Sequence, residues 1–218
     1  MPPTSPSTLG ILCALPGELG ALGERRVAER TVLGVLVLEL DLNGVRALAV
    51  VSGVGKDRAA HAAAALIAAG VDRALFVVGT CGALVRGLAP GDLVHATSAL
   101  EFSSGTRHDL ESAADLSLRS AWRSIAHGPE ARFFTVDVAV MSPWRRFRLA
   151  RSRPGQAVVE METAAAARVA QAAGIPWAGL RAVTDRAGFG AGKSFQTHFR
   201  AQGGRAADTL PALARILS

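Results

Sequence analysis

Residues 158–185, V-V-E-M-E-T-A-A-A-A-R-V-A-Q-A-A-G-I-P-W-A-G-L-R-A-V-T-D, constrain the fold of this chain more than any other stretch. An acidic pair brackets Met161 where a helix begins, an alanine-rich helix runs to Gly174, and an apolar strand from Trp177 ends at Thr184-Asp185. An Asp at a strand mouth, next to a Glu at a strand-to-helix junction, suits an α/β sheet, in which ligands bind outside the carboxyl ends of the strands. Both carboxylates would face one crevice. Removed from water, they need hydroxyls, protons or cations as partners.

The same alternation of strand and helix runs through the rest of the chain. Residues 9–15 read as a strand stopped by Pro16-Gly17, with Glu18 at the turn. Runs 33–42 and 45–51 are β-rich and separated by Asn43-Gly44, a strong hairpin signal. Gly53-Val54-Gly55 then turns the chain into a helix over 56–69, ended by Gly70. Residues 74–78 read as a buried parallel strand, Gly79-Thr80-Cys81-Gly82 as a tight turn, and 93–96 as a short strand. The stretch 98–130 is polar, with one helix expected over 116–125. A strand over 133–140, a short basic helix over 144–150 and a helical stretch over 195–217 broken at Gly203-Gly204 follow. The expected architecture is a single-domain, three-layer αβα fold with a central mixed β-sheet over residues 8–218, after a loose tail at 1–7.

Composition sets the outer bounds. At 218 residues and 50% hydrophobic, the chain can bury a full core as one domain. Its net charge of +6 rests on arginine, Lys56 and Lys193 being the only lysines, and the basic residues are scattered along the sequence. Scattered charge reads as solvated surface, so neither nucleic acid nor membrane is expected as a partner. Cys13 and Cys81 lie in apolar runs and read as buried free thiols of a reducing compartment. The start, M-P-P-T-S-P-S, lacks the pattern of a signal peptide, and no uncharged apolar run reaches about 18 residues, so a cytoplasmic protein without a membrane span is expected.

Gly53-x-Gly55 is half of a dinucleotide fingerprint, but Arg58 holds the third glycine's place and Asp72 precedes its strand instead of following it. The pair reads better as a tight turn with the helix close to the sheet. In Gly79-Thr80-Cys81-Gly82-Ala83, small residues let backbone amides and one hydroxyl approach a ribosyl oxygen or an anion.

V-E-M-E-T-A-A-A, followed 23 positions after Glu162 by the Asp of T-D, resembles the signature of the nucleoside phosphorylase/hydrolase superfamily. So do G-I-L-C-A-L-P-G-E, V-S-G-V-G-K-D-R-A-A, V-G-T-C-G-A-L and A-P-G-D-L-V, in the family's order. The chain is most similar to the methylthioadenosine/S-adenosylhomocysteine nucleosidases. That resemblance implies cleavage of the N-glycosidic bond of a 5′-modified purine nucleoside by water, without metal or organic cofactor, in a homodimer. Such cleavage passes through an oxocarbenium-like sugar and expels a poor leaving group unless the base is protonated. By resemblance Asp185 serves the purine N7, Glu162 the ribose hydroxyls with Met161 against the sugar, and Glu18 is the base that takes a proton from water. Thr80, Gly82, Val140 and Phe195 line the pocket. Glu160 is expected to serve the local fold.

Three alternatives stay open. Phosphorylases of the superfamily carry an arginine where Val77 stands and a basic residue in the loop where Leu15-Pro16-Gly17-Glu18 stands, which favours water; Thr80-Cys81-Gly82-Ala83, however, is closer to the phosphorylases, with phosphate as co-substrate. Ala139 occupies the place of the nucleosidases' stacking aromatic, leaving Phe134 or Phe195 to pack on the base, and the stretch after Ser98 looks like a shortened lid. A futalosine-type hydrolase, with a bulkier 5′ group, fits those departures. A catalytically silent nucleoside binder is the remaining reading.

Overall fold

The computed structural model describes residues 7–103, 106–152 and 155–218; the tail expected at 1–7 lies, except for Ser7, outside the described residues. Strand β1 (Leu9–Cys13) is buried along its whole length between the parallel strands β4 (Arg46–Val51) and β5 (Ala74–Ala83). Covered on both faces, these strands carry unbroken apolar runs. Beyond β4 lie β3 (Val35–Asp41) and the edge strand β2 (Arg26–Val32), both antiparallel. Asn43 and Gly44, at φ 60° and 88°, make the expected two-residue turn between β3 and β4. The strand expected from residue 33 starts two residues later, because Leu33 and Gly34 also take positive φ and form a second tight turn. Its partner β2 is exposed at six of seven positions, so it carries no apolar pattern to read.

Alternate residues of the central strands feed two layers of helix. Leu12, Leu48 and Val77 face α1 (Lys56–Ala68) and α4 (Thr163–Ala172), whose small residues Ala62, Ala63, Ala166 and Ala170 pack close to the sheet. Ile11, Phe76 and Val78 face the other way, toward α2 (Leu116–Arg123) and α6 (Leu210–Leu217) through Trp122, Leu210 and Leu213. The result is the three-layer αβα arrangement around a mixed sheet.

The sheet also closes on itself. Strand β10 (Trp177–Asp185) pairs parallel with β5 and antiparallel with β6 (Leu93–Ser103). Strand β6 pairs with β8 (Glu130–Val136), β8 with β9 (Ala157–Glu160), and β9 returns to β5. To serve β1, β9 and β10 at once, β5 must stay extended, so 79–83 is strand and not the expected tight turn. The polar stretch after Ser98 is a hairpin, with β6 continuing to Ser103 and β7 (Thr106–Ala113) pairing back on it. Strand β8 runs earlier than the expected 133–140 and stops at Val136, leaving Ala139 and Val140 in an irregular crossing. Helices α3 (Pro143–Ser152) and α5 (Ala191–Gln202) complete the fold, α5 ending at Gly203 as expected.

Candidate active site

The parallel register of β5 and β10 sets Thr80 beside Ala182 and Gly82 beside Asp185, with a bulge between Val183 and Asp185. Asp185 thus stands at the strand mouth with its carboxylate over the glycine. A Cβ on Gly82 would lie 2.9 Å from Asp185 Oδ1. The Thr184 hydroxyl donates to Asp185 Oδ2 at 3.0 Å. Burial raises the Asp185 pKa above the ordinary aspartate value, against the opposing pull of that hydroxyl and of His198.

Glu18 enters from the short helical turn Pro16–Glu18 that ends β1. Although it follows Pro-Gly, it is buried and not solvated. Its Oε2 accepts from the amides of Ala14 and Leu15, each at 3.0 Å, and its Oε1 from the Thr80 amide at 2.8 Å and hydroxyl at 2.7 Å. Gly79, at φ 149°, leaves the space that the carboxylate fills. A Cβ there would lie 2.8 Å from Glu18 Cδ and Oε1. Gly79→Ala is therefore expected to push Glu18 out of register and lower turnover about 10²-fold with the fold intact, checked by steady-state kinetics beside a thermal melt.

Glu160 and Glu162 flank the start of α4 with different tasks. Glu160 Oε2 accepts from the amides of Glu162 and Thr163 at 2.9 and 2.7 Å and from the Thr163 hydroxyl at 2.8 Å, so it ties down the N-terminus of α4 as expected. The Thr135 hydroxyl also donates to it. Glu162 turns into the cavity, its Oε1 accepting from the Gly55 amide at 3.0 Å. That bond explains the Gly53-x-Gly55 turn: it presents a backbone donor to a carboxylate. Asp72, the other half of the suspected fingerprint, accepts from the Thr8 amide at 2.7 Å.

The residue that sequence reasoning missed is Arg181. Its Nη2 lies 2.7 Å from Glu160 Oε2 and 3.1 Å from Glu162 Oε2, and its Nη1 donates to the Thr80 carbonyl at 2.9 Å. Burial opposes its charge, but the two carboxylates outweigh burial and hold its pKa above the ordinary arginine value. Burial pushes Glu162 up to about 7, against the lowering pull of Arg181 and with the Glu160 charge adding to the rise. The available signal was a single cation inside W-A-G-L-R-A-V-T-D.

These groups line one cavity of about 270 Å³. Glu18, Glu162, Asp185, Met161, Thr80, Gly82, Val140 and Phe195 all reach it, as do Arg181 and Ala139. Phe134 does not: it is fully buried beneath the cavity wall, its ring 5.1 Å from Phe102. Phe195, its ring tilted against that of Phe199 with centroids 4.9 Å apart, is the aromatic ring in the lining. Cys13 and Cys81 are both buried free thiols, their pKa values raised by burial. Among the described residues no three His, Cys, Asp or Glu side chains gather as a metal site.

Known proteins resemble this arrangement. A family model described as the phosphorylase superfamily matches residues 8–217. A 5′-methylthioadenosine/S-adenosylhomocysteine nucleosidase of Actinobacillus succinogenes is 25% identical over 206 residues, spanning 86% of this chain and 90% of the relative. The structure of the corresponding nucleosidase of S. pneumoniae with the transition-state inhibitor MT-ImmA aligns with a TM-score of 0.88 at 25% identity, over 97% of this chain and 100% of that one. Futalosine hydrolase of Helicobacter pylori shares the fold, with a TM-score of 0.88 at 22% identity over 97% and 98% of the two chains.

Proposed function

This chain belongs to the phosphorylase superfamily, and from that premise we propose that it is a purine nucleosidase that cleaves the N-glycosidic bond of a 5′-modified nucleoside with water. Glu18 takes a proton from water as the water oxygen bonds to the ribosyl C1′ and the C1′–N9 bond breaks. Asp185, whose burial favours its protonated form, delivers a proton to N7 so that the base leaves neutral. Glu162 accepts hydrogen bonds from the ribose hydroxyls, and Met161 packs on the sugar. The product is the free base and a 1-hydroxy ribosyl compound.

The observation that carries water over phosphate is the occupancy of Thr80. Its amide and hydroxyl, the donors an anion would use, are both engaged by the Glu18 carboxylate. A phosphate dianion at that place meets a like charge, and the buried Arg181 is already held by two carboxylates. The Thr80 hydroxyl can rotate away, so it can yield its place on Glu18 to water.

Ala139 in the cavity wall supports a second reading, a futalosine-type hydrolase, by leaving room where the nucleosidases carry a ring. The family resemblance also supports a cytoplasmic homodimer. Adenine and hypoxanthine release from methylthioadenosine, S-adenosylhomocysteine, futalosine, adenosine and inosine, each with and without phosphate, tests the proposal. Release without phosphate is expected, falling about 10²-fold or more in Glu18→Ala. Release that requires phosphate would make the chain a phosphorylase; thermal stabilisation by nucleosides with no release would make it a silent binder.

A further inference from the structure

We propose that the outer face of α3, with the loop 186–190 beside it, docks this protein on an anionic lipid bilayer. The helix, P-W-R-R-F-R-L-A-R-S, holds four arginines and no acidic residue. Leu149 anchors it to the core, and Arg146 is pinned by its Nε to the Leu84 carbonyl at 3.1 Å. The opposite face turns outward. Trp144 is 68% exposed and stacks on the exposed Phe147 at 5.9 Å, and the Arg151 guanidinium sits 5.4 Å over the Phe147 ring.

Phe189, 93% exposed, extends the apolar part of this face. Its loop is packed on the start of α3, since a Cβ on the neighbouring Gly188 would lie 3.6 Å from Pro143 Cα. Met141, also exposed, joins the face to the cavity mouth, which it lines. Exposed rings ringed by arginine on a short helix are what an interfacial element presents, the rings entering the headgroup layer and the cations meeting anionic lipid.

The arginines decide among occupants. Among the described residues no carboxylate pairs with Arg145, Arg148 or Arg151. Against a second copy related by a two-fold axis, this face would meet its own image, cation against cation. A dimer of this chain would therefore use another face. Nucleic acid would satisfy the cations but leave Met141 and Phe189 unused. The expectation of no membrane partner weighed the basic residues over the whole chain; within the short basic helix, folding turns Arg148 and Arg151 outward beside Trp144 and Phe147. No helix among the described residues is long and apolar enough to cross a membrane, so the contact is peripheral.

The test is co-sedimentation of the full chain with vesicles of phosphatidylcholine alone and of an equimolar mixture with phosphatidylglycerol. Binding to the mixed vesicles alone, weakening as salt rises, is expected. Arg148→Gln with Arg151→Gln should lower partitioning roughly 25-fold, about fivefold for each cation removed. Trp122 and Trp177 are fully buried, so a vesicle-induced blue shift of tryptophan emission reports Trp144 and disappears in Trp144→Phe. Melting curves of the variants, all at exposed positions, control for folding. Absence of binding to anionic vesicles, or binding undiminished in Trp144→Ser with Phe147→Ser, overturns the proposal. So does light scattering that finds this double variant dissociated from a native oligomer, which would give the face to a second copy. Salt-sensitive binding to duplex DNA in place of vesicles would give it to nucleic acid.

Discussion

Asp185→Asn is expected to reduce base release by about 10²- to 10⁴-fold, the span over which positioned acid catalysis operates. The amide keeps the shape of the carboxyl group and can keep the Thr184 contact at 3.0 Å, so binding changes little and the loss falls on kcat. What is lost is a transferable proton, and the purine must then depart as an anion. The pH profile gives a second readout. Burial raises the folded-state pKa of Asp185 above that of the unfolded chain. Its protonated form therefore contributes stability at low pH that is lost as pH rises through the folded pKa. The native chain should lose activity on the alkaline side through the same ionisation, while the Asn variant lacks that limb and gains relative stability there. Retention of the native rate in Asp185→Asn would remove Asp185 from the mechanism.

The largest stability effect is expected from Arg181→Met. The substitution roughly conserves volume but leaves Glu160 and Glu162 buried side by side without their cation. Breaking a buried ion pair from one side typically costs about 3–5 kcal/mol, because the remaining charge has no solvent and no partner. The deficit should be largest above pH 7, since burial already pushes Glu162 up to about 7. It should shrink on acidification: as Glu162 takes up its proton, the missing cation matters less. Urea unfolding at acidic and alkaline pH measures both numbers, and adding Glu162→Gln to the variant should recover part of the loss. A deficit under about 1 kcal/mol at every pH, the worth of an exposed pair, would show that the network does not support the fold.

Most of the candidate residues that share the cavity were already singled out in the sequence. Thr80 and Gly82 were singled out by the family resemblance, within a stretch that is extended and not the expected turn. Asp185, Glu18 and Glu162 were legible because each stands at a punctuated end of an element: Pro-Gly before Glu18, an alanine helix after Glu162, and a strand end at Asp185. Asn43-Gly44 specified its turn for the same reason, through φ values that favour those residues. Elements without a periodic apolar face stayed hidden. Strand β2 is exposed, and β7 sits in a polar stretch whose pairing with β6 is a long-range hydrogen-bond ladder.

Amino-acid order alone determined the strand and helix alternation and the three carboxylates at element ends, because propensity, turn chemistry and periodicity are local. Only the tertiary structure decided that 79–83 stays extended so that Gly79 and Gly82 make room for Glu18 and Asp185. It likewise decided that Arg181 balances two buried carboxylates, that Phe134 lies beneath the wall and not in it, and that the loop carrying Phe189 packs on the start of α3. Each depends on groups far apart in sequence meeting where water is excluded or where a surface is shared, and neither condition is encoded in any one stretch.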